Sequence, residues 1–93
     1  MEKSGIDLFE ELKDKRKKID LIDRKLLHLL NERLRIALEV GNIKKKMGEK
    51  IYDPRREEEV LESLRIKNNG PLKVEDLKKI FETIIRICRS SQV

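Results

Sequence analysis

The fold is decided by residues 12–47, LKDKRKKIDLIDRKLLHLLNERLRIALEVGNIKKKM. Apolar residues recur in this stretch at heptad spacing, which is typical of a helix with one apolar face: Leu12, Ile19, Ile22, Leu26, Leu29, Ile36, Val40, Ile43 and Met47. No proline interrupts the pattern, and Gly48 offers a C-terminal stop. We therefore predict one helix from about Ile6 or Leu8 to Met47, with a length of about 60 Å.

This predicted helix is too long for a chain of 93 residues to cover by itself. A compact monomer of that size has a radius of gyration of about 12 Å, so the helix would project far beyond the rest of the chain. A second chain must then cover its apolar face. We predict an intertwined, all-helical homodimer with the long helices side by side, in which residues 1–93 form a single domain.

Two shorter helices are predicted after the long one. Asp53 and Pro54 are a typical N-cap and first helical residue, and they open a second helix that runs to about Lys67. Its buried side is predicted to carry Val60, Leu61, Leu64 and Ile66. Residues 68–71, NNGP, are typical of a turn that ends the second helix. A third helix is predicted after them, with apolar residues at helical spacing: Leu77, Ile80, Phe81, Ile84, Ile85 and Cys88. The predicted fold class is all-α.

The net charge of +5 limits the possible partners without selecting one. The 23 Lys and Arg residues against 18 Asp and Glu are compatible with nucleic acid, an anionic membrane surface or a small polyanionic ligand. Interleaving of basic and acidic residues, without zinc-ligand spacing, argues against nucleic acid. The lone Cys88 excludes an intrachain disulfide, and neither a signal peptide nor a membrane-spanning run is present. These features predict a cytoplasmic protein.

Polar side chains occupy positions where a core is expected. Arg33 lies on the heptad seam, where a guanidinium is costly unless an anion meets it. Lys44 follows almost three turns later on the same face, about 16 Å along the axis. The gap between the two side chains suits a compact dianion, although Arg33 could instead fix the register of a coiled coil. Gln92 continues the apolar face of the third helix after Cys88, where its amide can donate into a pocket.

Neither a metal nor a nucleotide cofactor is indicated. His28 is the only histidine, and no cysteine or acidic residue stands near it in the spacing of a metal site or a catalytic triad. We interpret it as a residue at the surface or packed at the edge of the core. A glycine-rich phosphate loop is also missing from the sequence.

Five segments of the chain resemble the small, all-helical class of chorismate mutases. These are RKKIDLIDRKLL at 16–27, NER at 31–33, VGNIK at 40–44, IYDPRRE at 51–57, and FETII at 81–85 with Gln92. The resemblance covers nearly the whole chain. Its specificity depends on the joint spacing of Arg16, Arg33, Lys44, Asp53, Arg56, Glu57 and Gln92.

The resemblance implies that the chain rearranges chorismate to prephenate in phenylalanine and tyrosine biosynthesis, without a covalent intermediate, metal or cofactor. It implies that Arg33 and Arg16 clamp the two substrate carboxylates, with Arg16 contributed by the partner chain. Seventeen residues separate these arginines, about 26 Å along one helix, so one helix could not place both on one small molecule. Lys44, besides contacting a carboxylate, would donate to the ether oxygen whose bond breaks, and Gln92 would donate to the same oxygen.

The resemblance also implies roles for the start of the second helix. Glu57, helped by the backbone around Asp53, would accept a hydrogen bond from the substrate's ring hydroxyl. Arg56 would support the site through the carboxylate side or through a water. Cys88 occupies a position where the family often has serine, a stronger hydrogen-bonding group.

Two alternatives stay open from the sequence. An isochorismate pyruvate-lyase resembles the same fold and uses a similar cationic pocket, although the set of Asp53, Arg56 and Glu57 favours the mutase. A non-catalytic helical interaction module is the other alternative, but such a module has no need of Arg33 on the seam.

Overall fold

The computed structural model describes residues 4–93 and contains three helices. These are α1 at Gly5–Met47, α2 at Pro54–Lys67 and α3 at Val74–Ser91, and no strand occurs among the residues described. The prediction of an all-α chain with one long and two shorter helices is confirmed. α1 ends at Met47 as predicted, and Gly48 follows with a φ of 73°, a left-handed conformation that glycine adopts easily.

The chain divides into two compact units, Met1–Glu32 and Arg33–Val93, and α1 contributes residues to both. Residues 5–32 of the first unit form the N-terminal part of α1. Ser4 caps this helix, because its Oγ accepts the backbone N–H of Asp7 at 3.2 Å. Large apolar side chains along this part, including Leu12, Ile19 and Leu26, are each at least 43% exposed. Whether residues 1–93 act as a single domain stays a prediction.

The second unit contains residues 33–47 of α1 together with α2 and α3. α2 packs against α3, whose residues Leu77, Ile85 and Cys88 are buried. The end of α3 also contacts α1, since the Gln92 Nε2 donates to the Ala37 carbonyl at 2.7 Å. These contacts bring all three helices of this unit together.

The predicted start of α2 is confirmed in detail. Pro54 is the first helical residue, and the Asp53 Oδ1 accepts the backbone N–H of Arg56 at 3.1 Å. Val60, Leu61 and Leu64 are half-buried, as the apolar pattern predicts.

The prediction that Ile66 lies on the buried side of α2 is wrong, because its side chain is 68% exposed. Ile66 follows Leu64 by two residues, and a helix places residues two apart on different faces.

None of the helices among residues 4–93 combines the length and the hydropathy needed to cross a bilayer.

Candidate active site

A cavity of about 300 Å³ lies in the second unit, at the small end of the range for small-molecule sites, roughly 300–1,000 Å³. Its lining comes from all three helices and the segment before α2: Arg33, Ile36, Ala37, Val40, Lys44, Ile51, Asp53, Arg56, Glu57, Val60, Ile85, Cys88, Arg89 and Gln92. Seven of the eight residues predicted for the site are among them. The remaining one is Arg16.

The cavity combines apolar walls with an excess of positive charge. Six of its lining residues are aliphatic, four are cationic and two are carboxylates. The cations are Arg33, Lys44, Arg56 and Arg89, and the carboxylates are Asp53 and Glu57. Two positive charges are therefore left over for a ligand. A small dianion matches this charge, and its apolar parts match the aliphatic walls.

Arg33 is held by a contact with α3. It is half-buried, and its Nη1 lies 3.0 Å from the Cys88 Sγ. A thiol sulfur is a weak acceptor and a guanidinium has five N–H donors, so most of the hydrogen-bonding capacity of Arg33 is left for a ligand. Among residues 4–93, no carboxylate neutralises Arg33. Arg33, whose burial on the heptad seam was expected to be costly, therefore lines a cavity.

Lys44 connects α1 to the segment that precedes α2. Its Nζ donates to the Ile51 carbonyl at 2.9 Å, and the side chain is half-buried. An ammonium has three N–H donors, so two can still face the cavity. The contact also holds Ile51 as part of the cavity wall.

Gln92 reaches the cavity because α3 passes close to a glycine of α1. It is half-buried at the C-cap of α3, and one N–H of its side-chain amide donates to Ala37. A Cβ added to Gly41 would lie 2.9 Å from the Cβ and the Cγ of Gln92, closer than side chains approach each other. The second N–H of the amide is left for a ligand.

Glu57 is held by Arg89, which the sequence analysis did not select. The Arg89 Nη1 lies 2.8 Å from both carboxylate oxygens of Glu57. The Arg89 guanidinium carbon also lies 4.5 Å from the centroid of the Tyr52 ring, in cation–π range. In sequence Arg89 resembles an ordinary basic residue in the last turn of a helix. Its position three residues before Gln92 was the available signal that it shares the same face.

Asp53 and Arg56 lie at the exposed edge of the cavity. The side chain of Asp53 is used as the N-cap of α2, and its backbone carbonyl accepts the N–H of Glu57 at 3.1 Å. Asp53 therefore orients the first turn of α2, on which Arg56 and Glu57 lie.

Arg16 lies in the first unit and is not among the residues that line the cavity. It is exposed, and it lines a groove formed with Phe9, Leu12, Lys13, Lys17 and Asp20. His28 is exposed as predicted, with its Nε2 3.4 Å from a carboxylate oxygen of Glu32. Neither residue contributes to the cavity of the second unit.

An all-α unit around an apolar cavity with surplus cationic side chains defines a helical domain suited to a small anion. The sequence pattern of the chorismate mutase type II family matches residues 15–93, and the chain belongs to this family.

Relatives and solved structures give the same family. Over 85 residues, the chain is 42% identical to the bifunctional chorismate mutase/prephenate dehydratase of Aquifex aeolicus, a match that covers 87% of this chain and 24% of that protein. The chorismate mutase (form II) from Thermus thermophilus is similar with a TM-score of 0.86 and 35% identity, covering 88% of this chain and 93% of that one.

The chorismate mutase from Helicobacter pylori, solved in complex with prephenate, is similar with a TM-score of 0.82 and 35% identity. This match covers 89% of the chain and 90% of the Helicobacter protein. The chain spans about a quarter of the length of the bifunctional relatives that it matches.

Proposed function

We propose that this chain is a chorismate mutase, which converts chorismate to prephenate by an intramolecular rearrangement. The observation that carries the proposal is the cavity of the second unit, which is lined by seven of the eight residues named from the sequence and, together with Arg89, has two surplus positive charges. Chorismate has two carboxylates, a ring hydroxyl and an ether oxygen, and each of these groups would find a suitable partner.

The substrate carboxylates would be bound by Arg33 and by Arg16 of the partner subunit. A guanidinium can donate two parallel N–H bonds to a carboxylate, and the contact of Arg33 with a weak acceptor leaves it able to do so. Arg56, at the edge of the cavity, would add positive charge on the carboxylate side. The two clamps would hold the flexible enolpyruvyl group over the ring.

Lys44 and Gln92 would act at the ether oxygen. In the rearrangement the bond between this oxygen and the ring carbon lengthens while a new carbon–carbon bond forms, and negative charge grows on the oxygen. The ammonium of Lys44 and the free N–H of Gln92 would donate to it. Because both groups are already held by the fold, little reorganisation would be needed as the charge develops.

Glu57 would accept the hydrogen bond of the ring hydroxyl, and Cys88 would lie beside the substrate as part of the wall. No proton has to be removed and no covalent bond to the protein forms. Orientation of the substrate and electrostatic stabilisation are therefore the two sources of rate acceleration, for which about 8 kcal/mol corresponds to about a millionfold.

We also propose that two chains form the functional unit. The large apolar side chains of residues 4–32 are exposed, and burial of such a face by a second copy would stabilise both chains. The partner would supply Arg16, which does not line the cavity of the second unit. Light scattering on the purified protein tests this directly, and a monomer at assay concentration would contradict it.

The deciding experiment is the loss of chorismate's ultraviolet absorbance with purified protein, with prephenate identified as the product. We expect turnover by the wild-type chain and none above background from heat-inactivated protein. Release of pyruvate from isochorismate without turnover of chorismate would show that the chain is an isochorismate pyruvate-lyase and not a mutase. A folded dimer that acts on neither substrate would instead support a non-catalytic module.

A further inference from the structure

We propose that Arg89 is a positioning residue that acts through Glu57 and is itself held by Tyr52. Arg89 would fix the Glu57 carboxylate in the orientation in which it accepts the substrate's hydroxyl. The inference rests on the proposed function, since it concerns how the same cavity recognises its substrate. These three residues come from α3, α2 and the segment before α2, and we call them the Tyr52–Arg89–Glu57 cluster.

The geometry of the ion pair orients Glu57 without saturating it. One nitrogen of Arg89, Nη1, lies 2.8 Å from both carboxylate oxygens, so the two oxygens share this single nitrogen equally. An ionised carboxylate can accept about four hydrogen bonds, which leaves capacity on each oxygen for a ligand. The ion pair therefore restricts the direction of Glu57 while it leaves acceptor sites open.

Partial burial makes this pair stronger than an ordinary surface pair. The side chains of Arg89 and Glu57 are 31% and 25% exposed, whereas the Arg65–Glu62 pair on α2 is 51% and 57% exposed. Screening by water and salt is weaker in the less exposed pair. Both Arg89 and Glu57 line the cavity, while neither Arg65 nor Glu62 does. The Arg65–Glu62 pair therefore serves as a control for the loss of an Arg–Glu ion pair that lies outside the cavity.

Tyr52 fixes the other side of Arg89. Its ring lies 4.5 Å from the guanidinium carbon, and this places the cation over the aromatic face. The neighbouring Ile51 is held through its carbonyl by Lys44. The segment between α1 and α2 is therefore attached at two adjacent residues, and one of these attachments orients Arg89.

The cluster also balances charge. A Glu57 carboxylate without its cation would repel a dianionic substrate, and it would be free to pair with another cation such as Arg56. Arg89 supplies the compensating charge from the side of Glu57 that faces α3. Loss of Arg89 should therefore raise KM for chorismate through repulsion and lower kcat through misorientation of the substrate.

The test compares Arg89→Met with Arg65→Met, which breaks the exposed pair away from the cavity. We expect kcat/KM for chorismate to fall about 10- to 100-fold in Arg89→Met, up to the loss that a misplacement of about 1 Å can cause. Arg65→Met should stay within about twofold of the wild type. Arg89→Lys keeps the charge but not the planar donor, and it should recover part of the loss.

A double-mutant cycle separates positioning from a general structural role. In a Glu57→Ala background, the further change Arg89→Met should reduce kcat/KM by less than about threefold, because the group through which it acts is gone. An equal loss in both backgrounds would overturn the proposal, and so would wild-type kinetics of Arg89→Met. Circular dichroism and thermal unfolding verify that each variant is folded.

If Arg89→Met does not fold, Tyr52 provides a second route, because its side chain is exposed and can be changed with little effect on the core. Tyr52→Leu should lower kcat/KM about two- to fivefold, as expected for loss of a cation–π contact, while Tyr52→Phe should keep it. Equal activity of the two variants would overturn the proposal. A wild-type chain that does not convert chorismate would refute the proposed function itself, and the inference with it.

Discussion

Gly41 and Gln92 approach each other so closely that only a residue without a side chain fits at position 41. A Cβ at that position would lie 2.9 Å from two side-chain atoms of Gln92. Because Gly41 has no side chain, the end of α3 can pack close to α1. The amide of Gln92 then reaches both the Ala37 carbonyl and the cavity. The close approach of the Gln92 side chain to the backbone of Gly41 thus places a donor at the candidate active site.

Replacing Gly41 with alanine should therefore damage both stability and activity. We expect a loss of about 1–3 kcal/mol in the free energy of unfolding, as for an overpacked contact, partly offset by the better helix propensity of alanine. Displacement of Gln92 should reduce kcat for chorismate by about tenfold or more. Chemical denaturation and steady-state kinetics measure the two effects.

Gly5→Ala is the matched control, since a Cβ at Gly5 meets nothing within 4 Å. It should leave the kinetics unchanged. A Gly41→Ala variant that behaves like this control would show that the contact with Gln92 has no consequence for the site.

Replacing Lys44 with alanine should reduce kcat by about 10²–10³-fold, the loss typical of removing a donor that stabilises a developing charge. The variant also loses the bond to Ile51, so its fold has to be verified. Lys45→Ala is the control, because Lys45 is the exposed neighbour in the same basic run and does not line the cavity. Similar turnover of the two variants would show that Lys44 does not stabilise the transition state.

Mixing two inactive variants should restore activity if the site is shared between chains. Arg16→Ala and Arg33→Ala chains should each lack turnover, whereas a heterodimer would contain one site with both arginines intact. After subunit exchange, we expect about a quarter of wild-type activity from a statistical mixture, because half of the dimers carry one intact site of two. Exchange is verified by native mass spectrometry, and exchanged dimers without activity would contradict a shared pocket.

Replacing Cys88 with serine should leave kcat/KM within about threefold of the wild type. The hydroxyl can accept from Arg33 at least as well as the thiol, which lies 3.0 Å from its Nη1. Cys88→Leu adds volume to a buried cavity wall and should lower both affinity and stability, the latter by about 1–3 kcal/mol. Normal kinetics of the leucine variant would place the substrate away from Cys88.

Helix boundaries could be predicted from the sequence because they depend on local chemistry. The heptad pattern to Met47, the glycine at 48 and the capping pair of Asp53 and Pro54 each act within a few residues. The burial of Ile66 was mispredicted, since an apolar residue at the end of a helix says little about the side that it faces. Local patterns determine where a helix begins and ends, but packing determines which of its faces is covered.

The resemblance to the family named eight residues for the site, and seven of them line one cavity. The pairs that hold them in position were not visible in the sequence. Arg89 and Glu57 are 32 residues apart in the chain and meet only because α3 packs on α2. In the sequence Gly41 resembles any other helical glycine, and only its close contact with Gln92 in the structure explains why a side chain does not fit there.

By itself, then, the sequence determined the three helices and the cationic character of the site, because periodicity, caps and residue type act along the chain. Only the tertiary structure decided which residues contact the candidate site residues: Arg89 contacts Glu57, Cys88 contacts Arg33, and Gly41 leaves room for Gln92. The physical reason is that hydrogen bonds and close contacts depend on distances of about 3 Å between helices, and those distances are set by packing.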